Sequence, residues 1–347
     1  IEITKKKDLY LIDGIFLTKN QKLDGDDLNF ISKGLINLKD IKEIEFSSNN
    51  KLSFEINKKF KINKLDIETT LDLDKLIFSK KFIDLSAYLK NTKEEILFEK
   101  NKIQINYKKD KLKVKGTGSI FFTDKSEQIT YEIIKNNDQF SFDTKFNIKD
   151  NSFQIVPLNY EKKEDVNSII IINGDFKKGN LLKFKTISLE ENKNKILINN
   201  LKLDNNFKVL DIEKANINYK NKNKILNKIN LRKDNSNFII EGDNLDLSKL
   251  IDNIMDNDDE NSSIFENLNS RVDINIKKTY IDEINHLNNL SGYIILKNNK
   301  INNLILDADF PNDKKISLTV LTNDAKETTT SLITDYPKPL IKRYKFI

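Results

Sequence analysis

Cysteine and tryptophan are absent from this 347-residue chain, methionine and histidine occur once each, proline four times and glycine nine. Without cysteine there are no disulfides and no thiolate metal ligands. A lone His286, even with Asp282 and Glu283 beside it, is a poor transition-metal set, and it reads as an exposed loop histidine. Arginine occurs only at positions 232, 271 and 343, so the 59 basic residues are almost all lysine, and they are interspersed with 53 acidic ones for a net charge of +6. That mixture describes a solvated polar face; nucleic-acid readers cluster their cations and rely on bidentate arginine, so no nucleic-acid partner is expected. No apolar run approaches the length that a membrane-spanning helix needs. Ile1 is not an initiator methionine and the last residues read as mid-strand, so the expectation is a piece of a longer protein.

The catalytic vocabulary is equally thin. Asp256-Asn257-Asp258-Asp259-Glu260-Asn261 resembles a calcium loop but lacks the glycine at its sixth position and the closing glutamate, and it reads as a solvated helix exit. Gly116-Thr117-Gly118 has no helix after it, which excludes a dinucleotide fingerprint or a phosphate loop. Neither a nucleophile with a base nor a metal cluster is evident. The chain is expected to be no enzyme, with no catalytic residue, no metal and no cofactor.

What the chain does have is alternation. Ile103, Ile105 and Tyr107 are separated by polar residues, as are Phe140 and Phe142, Phe146 and Ile148, Val272, Ile274 and Ile276, and Ile316, Leu318 and Val320. Period two with one apolar side marks a half-buried antiparallel sheet, and Asn136-Asn137-Asp138 and Lys149-Asp150-Asn151 supply turns between the runs. Phase slips at Asn199-Asn200 and between Val209 and Leu210 suit turns or bulges. The charge run Glu161–Asp165 marks a soft boundary between segments 1–165 and 166–347. At one strand per ten to fourteen residues the chain holds about 25 strands, more than a single sandwich uses.

Helices are few. Leu247, Leu250, Ile251, Ile254 and Met255 fall on one helical stripe behind a possible cap at Asp246, after a strand from Phe238 and a turn at Glu241-Gly242-Asp243-Asn244; this gives a helix near 247–256. Related Leu-Asp-Leu patterns at Leu71–Ile77 and Ile83–Leu89 suggest a repeated unit, with one helical turn at Leu85–Leu89. Asp324-Ala325-Lys326-Glu327 reads as a capping box for a helix near 324–334 ended by Pro337. Two helices cannot cover so much sheet. The fold expected is mainly β: a long, curved antiparallel sheet, an elongated groove with a few short capping helices.

Phe238, Gly242, Leu245-Asp246-Leu247-Ser248 and Leu250, followed by Ile316-Ser317-Leu318 and Leu321-Thr322-Asn323-Asp324-Ala325, give residues 168–336 a resemblance to the AsmA-like superfamily, YhdP-type branch. Lys326 stands where that family has glycine. The resemblance implies a periplasmic segment of a protein tethered to the inner membrane by an anchor outside this fragment, in a Gram-negative-type envelope. It implies a bridge-like lipid-transfer function: phospholipid acyl chains move along an apolar β-groove toward the outer membrane, in cell-envelope biogenesis, with envelope proteins as possible partners at the ends. The groove-facing candidates are Ile103, Ile105, Tyr107, Phe207, Val209, Ile212, Ile217, Val272, Ile274, Ile276, Leu304 and Leu306. Two readings compete with it: a structural or adhesive all-β envelope module with no lipid conduit, and an outer-membrane barrel, which the lack of tryptophan disfavours.

Overall fold

The computed structural model describes residues 1–32, 40–79, 85, 86, 88–177, 182–204, 208–249, 268–323 and 325–344. The protein is mainly β, with 73% strand and 4% helix. It divides into two compact units, Ile1–Phe153 with Lys162–Lys178, and Gln154–Glu161 with Gly179–Ile347.

The first unit is a nine-strand antiparallel run. Its strands are β1 (Glu2–Lys6), β2 (Leu9–Asp24), β3 (Ile41–Asn57), β4 (Ile62–Ser79), β5 (Glu95–Lys108), β6 (Lys111–Phe121), β7 (Ser126–Asn136) and β8 (Gln139–Ile148), each paired with the next, and then β11 (Ser168–Lys177) against β8. The numbering leaves room for β9 (Phe153–Ile155) and β10 (Tyr160–Lys162), a separate two-stranded ribbon. One helix, α1 (Gly25–Ser32), follows β2. The turn expected at Asn136–Asp138 is there, with Asn137 between β7 and β8 at φ 52; a further turn between β5 and β6 holds Lys109 and Asp110 at φ 50 and 59. Asparagine and aspartate tolerate that left-handed region better than most residues.

The second unit runs β12 (Leu182–Glu191), β13 (Asn194–Leu203), β15 (Lys214–Lys220), β16 (Leu226–Asp234), β17 (Asn237–Asp246), β18 (Ser270–Tyr280), β19 (His286–Lys297), β20 (Lys300–Asp309), β21 (Lys315–Thr322) and β22 (Thr328–Thr334). Short β14 (Val209–Asp211) joins β13 after a register shift at Lys202/Leu203, and Asn200 within β13 lies at φ 50, next to the expected phase slip. Among the described residues these pairs are antiparallel except β17 with β18, which run parallel. Parallel neighbours need a long connection, and residues 247–269 separate these two strands in sequence.

Four local expectations are corrected. Glu241–Asn244 is not a turn: it lies inside β17, where the register shifts past Asp243, and a Cβ on Gly242 would stand 2.6 Å from the Lys228 carbonyl oxygen. Leu71–Ile77 lies in mid β4, so the Leu-Asp-Leu pattern does not mark one repeated helix start. The helix near 324–334 is replaced by strand β22. Asn323 and Glu327 instead lock a hairpin turn: Glu327 N donates to Asn323 Oδ1 at 2.9 Å, Asn323 Nδ2 donates to Glu327 Oε2 at 2.8 Å, and Lys326 takes φ 63. The β-branched Thr328-Thr329-Thr330 favours the strand that follows. Pro337 does not end a helix but precedes one, α2 (Lys338–Tyr344), in which Ile341 N donates to Pro337 O. For the other expected helices, Leu89 N and Tyr88 N both donate to Leu85 O, which is one helical turn, while of 247–256 only Ser248 and Lys249 are described as helical and 250–256 lies outside the described residues.

Candidate functional site

Cross-strand register decides which residues share a face, because directly opposed residues point the same way. In the first unit Leu71, Ile103, Gly116, Tyr131, Thr144 and Ile172 form one row across β4 to β8 and β11. Thr69, Ile105, Val114, Ile133, Phe142 and Gly174 form the next, and Ile67, Tyr107, Leu112, Lys135, Phe140 and Phe176 a third. The predicted Ile103, Ile105 and Tyr107 therefore stand on one apolar face. The opposite face carries ion pairs such as Lys113 and Lys115 with Glu132 and Lys108 with Asp66. A shallow depression of about 700 Å³ over β4 to β8 is lined mostly by polar side chains, among them Gln104, Lys115, Glu132 and Lys145.

Glycine in mid β6 has a physical cause. A Cβ on Gly116 would meet the Tyr131 ring at 2.2 Å, so the tyrosine lies flat over the strand, and its burial pushes the phenol up to about 12. Asn101 lies likewise over Gly118, donating from Nδ2 to Glu99 O and Ser119 O at 2.9 and 3.1 Å. Ile103, Ile105, Tyr107 and Phe142 remain half-buried, and Ile133 is 38% exposed.

One end of these strands is closed. Leu73, Ile96, Ile120, Phe122 and Ile129 are buried there. The loop after β8 is tied down by Glu127, which accepts from Lys149 N, Asn151 N and Asn151 Nδ2 at 2.6–2.8 Å, and by fully buried Lys162, which donates to the carbonyls of Lys149 and Asn151.

The second unit repeats the design. Ile198, Ala215, Leu231, Ile240, Ile274, Gly292, Leu306 and Leu318 make one row, with Ile196, Ile217, Ile229, Gly242 and Ile276 beside it, and Phe238, Val272, Ile294, Leu304 and Val320 on the other side. Of the predicted residues, Ile217, Val272, Ile274, Ile276, Leu304 and Leu306 are brought together on this face. Val209 opposes Leu203 in β14, Ile212 lies between β14 and β15, and Phe207 lies outside the described residues. Ile276 is 1% exposed in a closed cluster with Ile281, Leu287, Leu290, Ala308, Phe310 and Leu340. The last comes from α2, so the helix covers this end of the face, and Ile274 and Leu306 pack against its margin. Beside β13 and β15 the same strand end is covered by Tyr160, whose hydroxyl donates to buried Glu191 and whose ring meets Tyr219 edge-on. The covering residues Tyr160 and Leu340 do not follow from a strand period; Lys135 does, two residues after Ile133, but a lysine gives no apolar signal by which to pick it.

His286 is not an exposed loop residue. It opens β19, half-buried opposite Tyr280, and burial with nearby Lys278 lowers its pKa. Asp282 accepts from Ile284 N, Asn285 N and Asn285 Nδ2, closing its own turn. Among the described residues no three His, Cys, Asp or Glu gather as a metal site, and no helix is long and apolar enough to cross a membrane. The 256–261 run lies outside the described residues. No protein-family model, curated protein or solved structure matches the chain.

Proposed function

We propose that this chain is a lipid-carrying β segment, in which the apolar sheet faces hold acyl chains while the lysine- and carboxylate-rich faces stay in water. The observation that carries the reading is the first unit's face: three adjacent rows across β4 to β8 and β11, made mostly of aliphatic and aromatic side chains that are half-buried, with Ile133 and Phe176 more exposed. Monomeric proteins seldom leave a contiguous apolar patch without a partner for it. Acyl chains suit such a surface because they need no directional bonds, only apolar area. The further parts of the proposal rest on the AsmA-like resemblance: a periplasmic place, a tether to the inner membrane, transport of phospholipid toward the outer membrane, and no catalytic step.

Native mass spectrometry of the chain purified without detergent tests it. The expected spectrum shows protein carrying phospholipid masses, and delipidated protein should take up a fluorescent phospholipid. A lipid-free, monodisperse protein that takes up none would sink the proposal in favour of a structural module.

A further inference from the structure

Across β5 to β8 and β11 the apolar face of the first unit carries two charged residues, Glu127 and Lys135. Glu127 is buried at the closed end and occupied by three N–H donors. Lys135 stands toward the other end of the strands, half-buried between Leu112 and Phe140 in the third row, with Phe176 beyond. Its Nζ lies 5.5 Å from the centre of the Phe140 ring, and among the described residues no carboxylate pairs with it.

The second unit supplies an internal control. Lys135 and Phe140 flank a turn with Asn137 at φ 52; Lys233 and Phe238 flank one with Asn235 at φ 56, at the same spacing and with the same cross-strand pairing. There the ammonium is neutralised, because Lys233 Nζ lies 2.6 Å from Asp211 Oδ1. The same hairpin device is thus closed by an internal anion in one unit and left open in the other. A half-buried lysine on an apolar face, its ammonium over an aromatic ring and without a counter-ion among the described residues, is a site for an anion that arrives attached to something apolar.

We infer that Lys135 anchors the anionic headgroup, phosphate or carboxylate, of an amphiphile whose chain lies along the row of Ile105, Ile133 and Phe142. The inference rests on the lipid-carrying reading and sharpens it: the first unit prefers anionic over neutral lipids, and one side chain sets that preference. Phe140 and Leu112 hold the ammonium at the boundary between apolar rows and water.

The test compares oleate with oleyl alcohol, which share a chain and differ in charge, by displacement of a fluorescent fatty alcohol from the full chain. Wild-type protein should bind oleate more tightly than the alcohol. Lys135→Gln should weaken oleate about tenfold and leave the alcohol unchanged, Lys135→Arg should restore oleate, and Lys233→Gln should not alter the ratio. Inorganic phosphate at millimolar concentration should not displace oleate; if it does so selectively, the lysine serves a free anion and the inference fails. An unchanged oleate-to-alcohol ratio in Lys135→Gln overturns it as well, while the lipid-carrying reading survives. If neither probe binds wild-type protein, that reading itself has failed and the inference falls with it.

Discussion

Ile276 in β18 and Ile105 in β5 occupy the same kind of position, the apolar side of an alternating strand in the middle of a sheet, yet Ile276 is 1% exposed and Ile105 is only half-buried. The difference comes from what lies above them. Over Ile276 the chain folds Ile281, Phe310 and the α2 residue Leu340 into a packed cluster, in which Ile105 has no part. An apolar alternation therefore reports a face, and says nothing of whether that face is a core or a surface.

The comparison breaks or holds most sharply under a charge. Ile276→Asp places a carboxylate where water and partners are excluded, and unit two should lose more than about 4 kcal/mol, enough to remove its thermal transition. Ile105→Asp sets the charge on a face open to solvent and should cost about 1 kcal/mol, the scale of strand propensity alone, while abolishing lipid uptake. Two separate melting experiments read this out. Equal collapse of both variants would mean that Ile105 too lies in a filled core.

Next in size is the closed end of the first unit. Glu127→Ala removes three hydrogen bonds and leaves the amides of Lys149 and Asn151 without their acceptor in a buried place. A loss of about 3 kcal/mol in urea unfolding is expected, with lipid uptake preserved because the open rows are untouched. Loss of uptake in a variant that remains folded would show that the closed end and the open face act as one element.

A smaller effect should come from Gly116→Ala. The new methyl would stand 2.2 Å from the Tyr131 ring, so the ring must lift, at a cost of about 2 kcal/mol. Ultraviolet titration reports the movement: a tyrosine held at about 12 by burial should titrate nearer the ordinary 10.0. An unchanged titration curve would mean that the strand, and not the ring, gives way.

Much of this architecture could be read from the chain because strand alternation and asparagine turns are local. Ile103, Ile105 and Tyr107 fall on one face for the same reason that their sequence alternates, and Asn137 turns where it was expected to. The failures are of two kinds. At Asn323–Glu327 one pattern serves two structures, since the side chains that would cap a helix also close a hairpin, and the β-branched threonines after it decide for the strand. Burial is the other kind. Tyr160 reaches Tyr219 and Leu340 reaches Ile281 across some sixty residues each, so which end of a face is covered depends on distant segments that no period encodes. The parallel pairing of β17 with β18 is hidden for the same reason.

The smallest expected effect lies on the polar face of the second unit, where Asp243 receives Lys228 Nζ at 2.6 Å and Lys277 Nζ at 2.7 Å. These hydrogen bonds, with the attraction of both ammonium groups, hold its carboxyl down to about 2, against an ordinary value of 3.8. A carboxylate whose pKa is depressed by folding stabilises the fold above its unfolded pKa, and that stabilisation is lost as pH falls through the folded value. The window thus runs from about pH 4 down to about pH 2. Because the group is solvated and salt screens it, Asp243→Asn should barely change the melting temperature at neutral pH. Between pH 4 and pH 2 the wild-type curve should fall more steeply than that of the variant, and the two should meet near pH 2. Added salt should shrink the difference. Parallel curves over this window, at low salt, would mean that the two lysines do not hold the carboxylate in solution, and that the bulge at Asp243 is shaped by β17 and β16 alone.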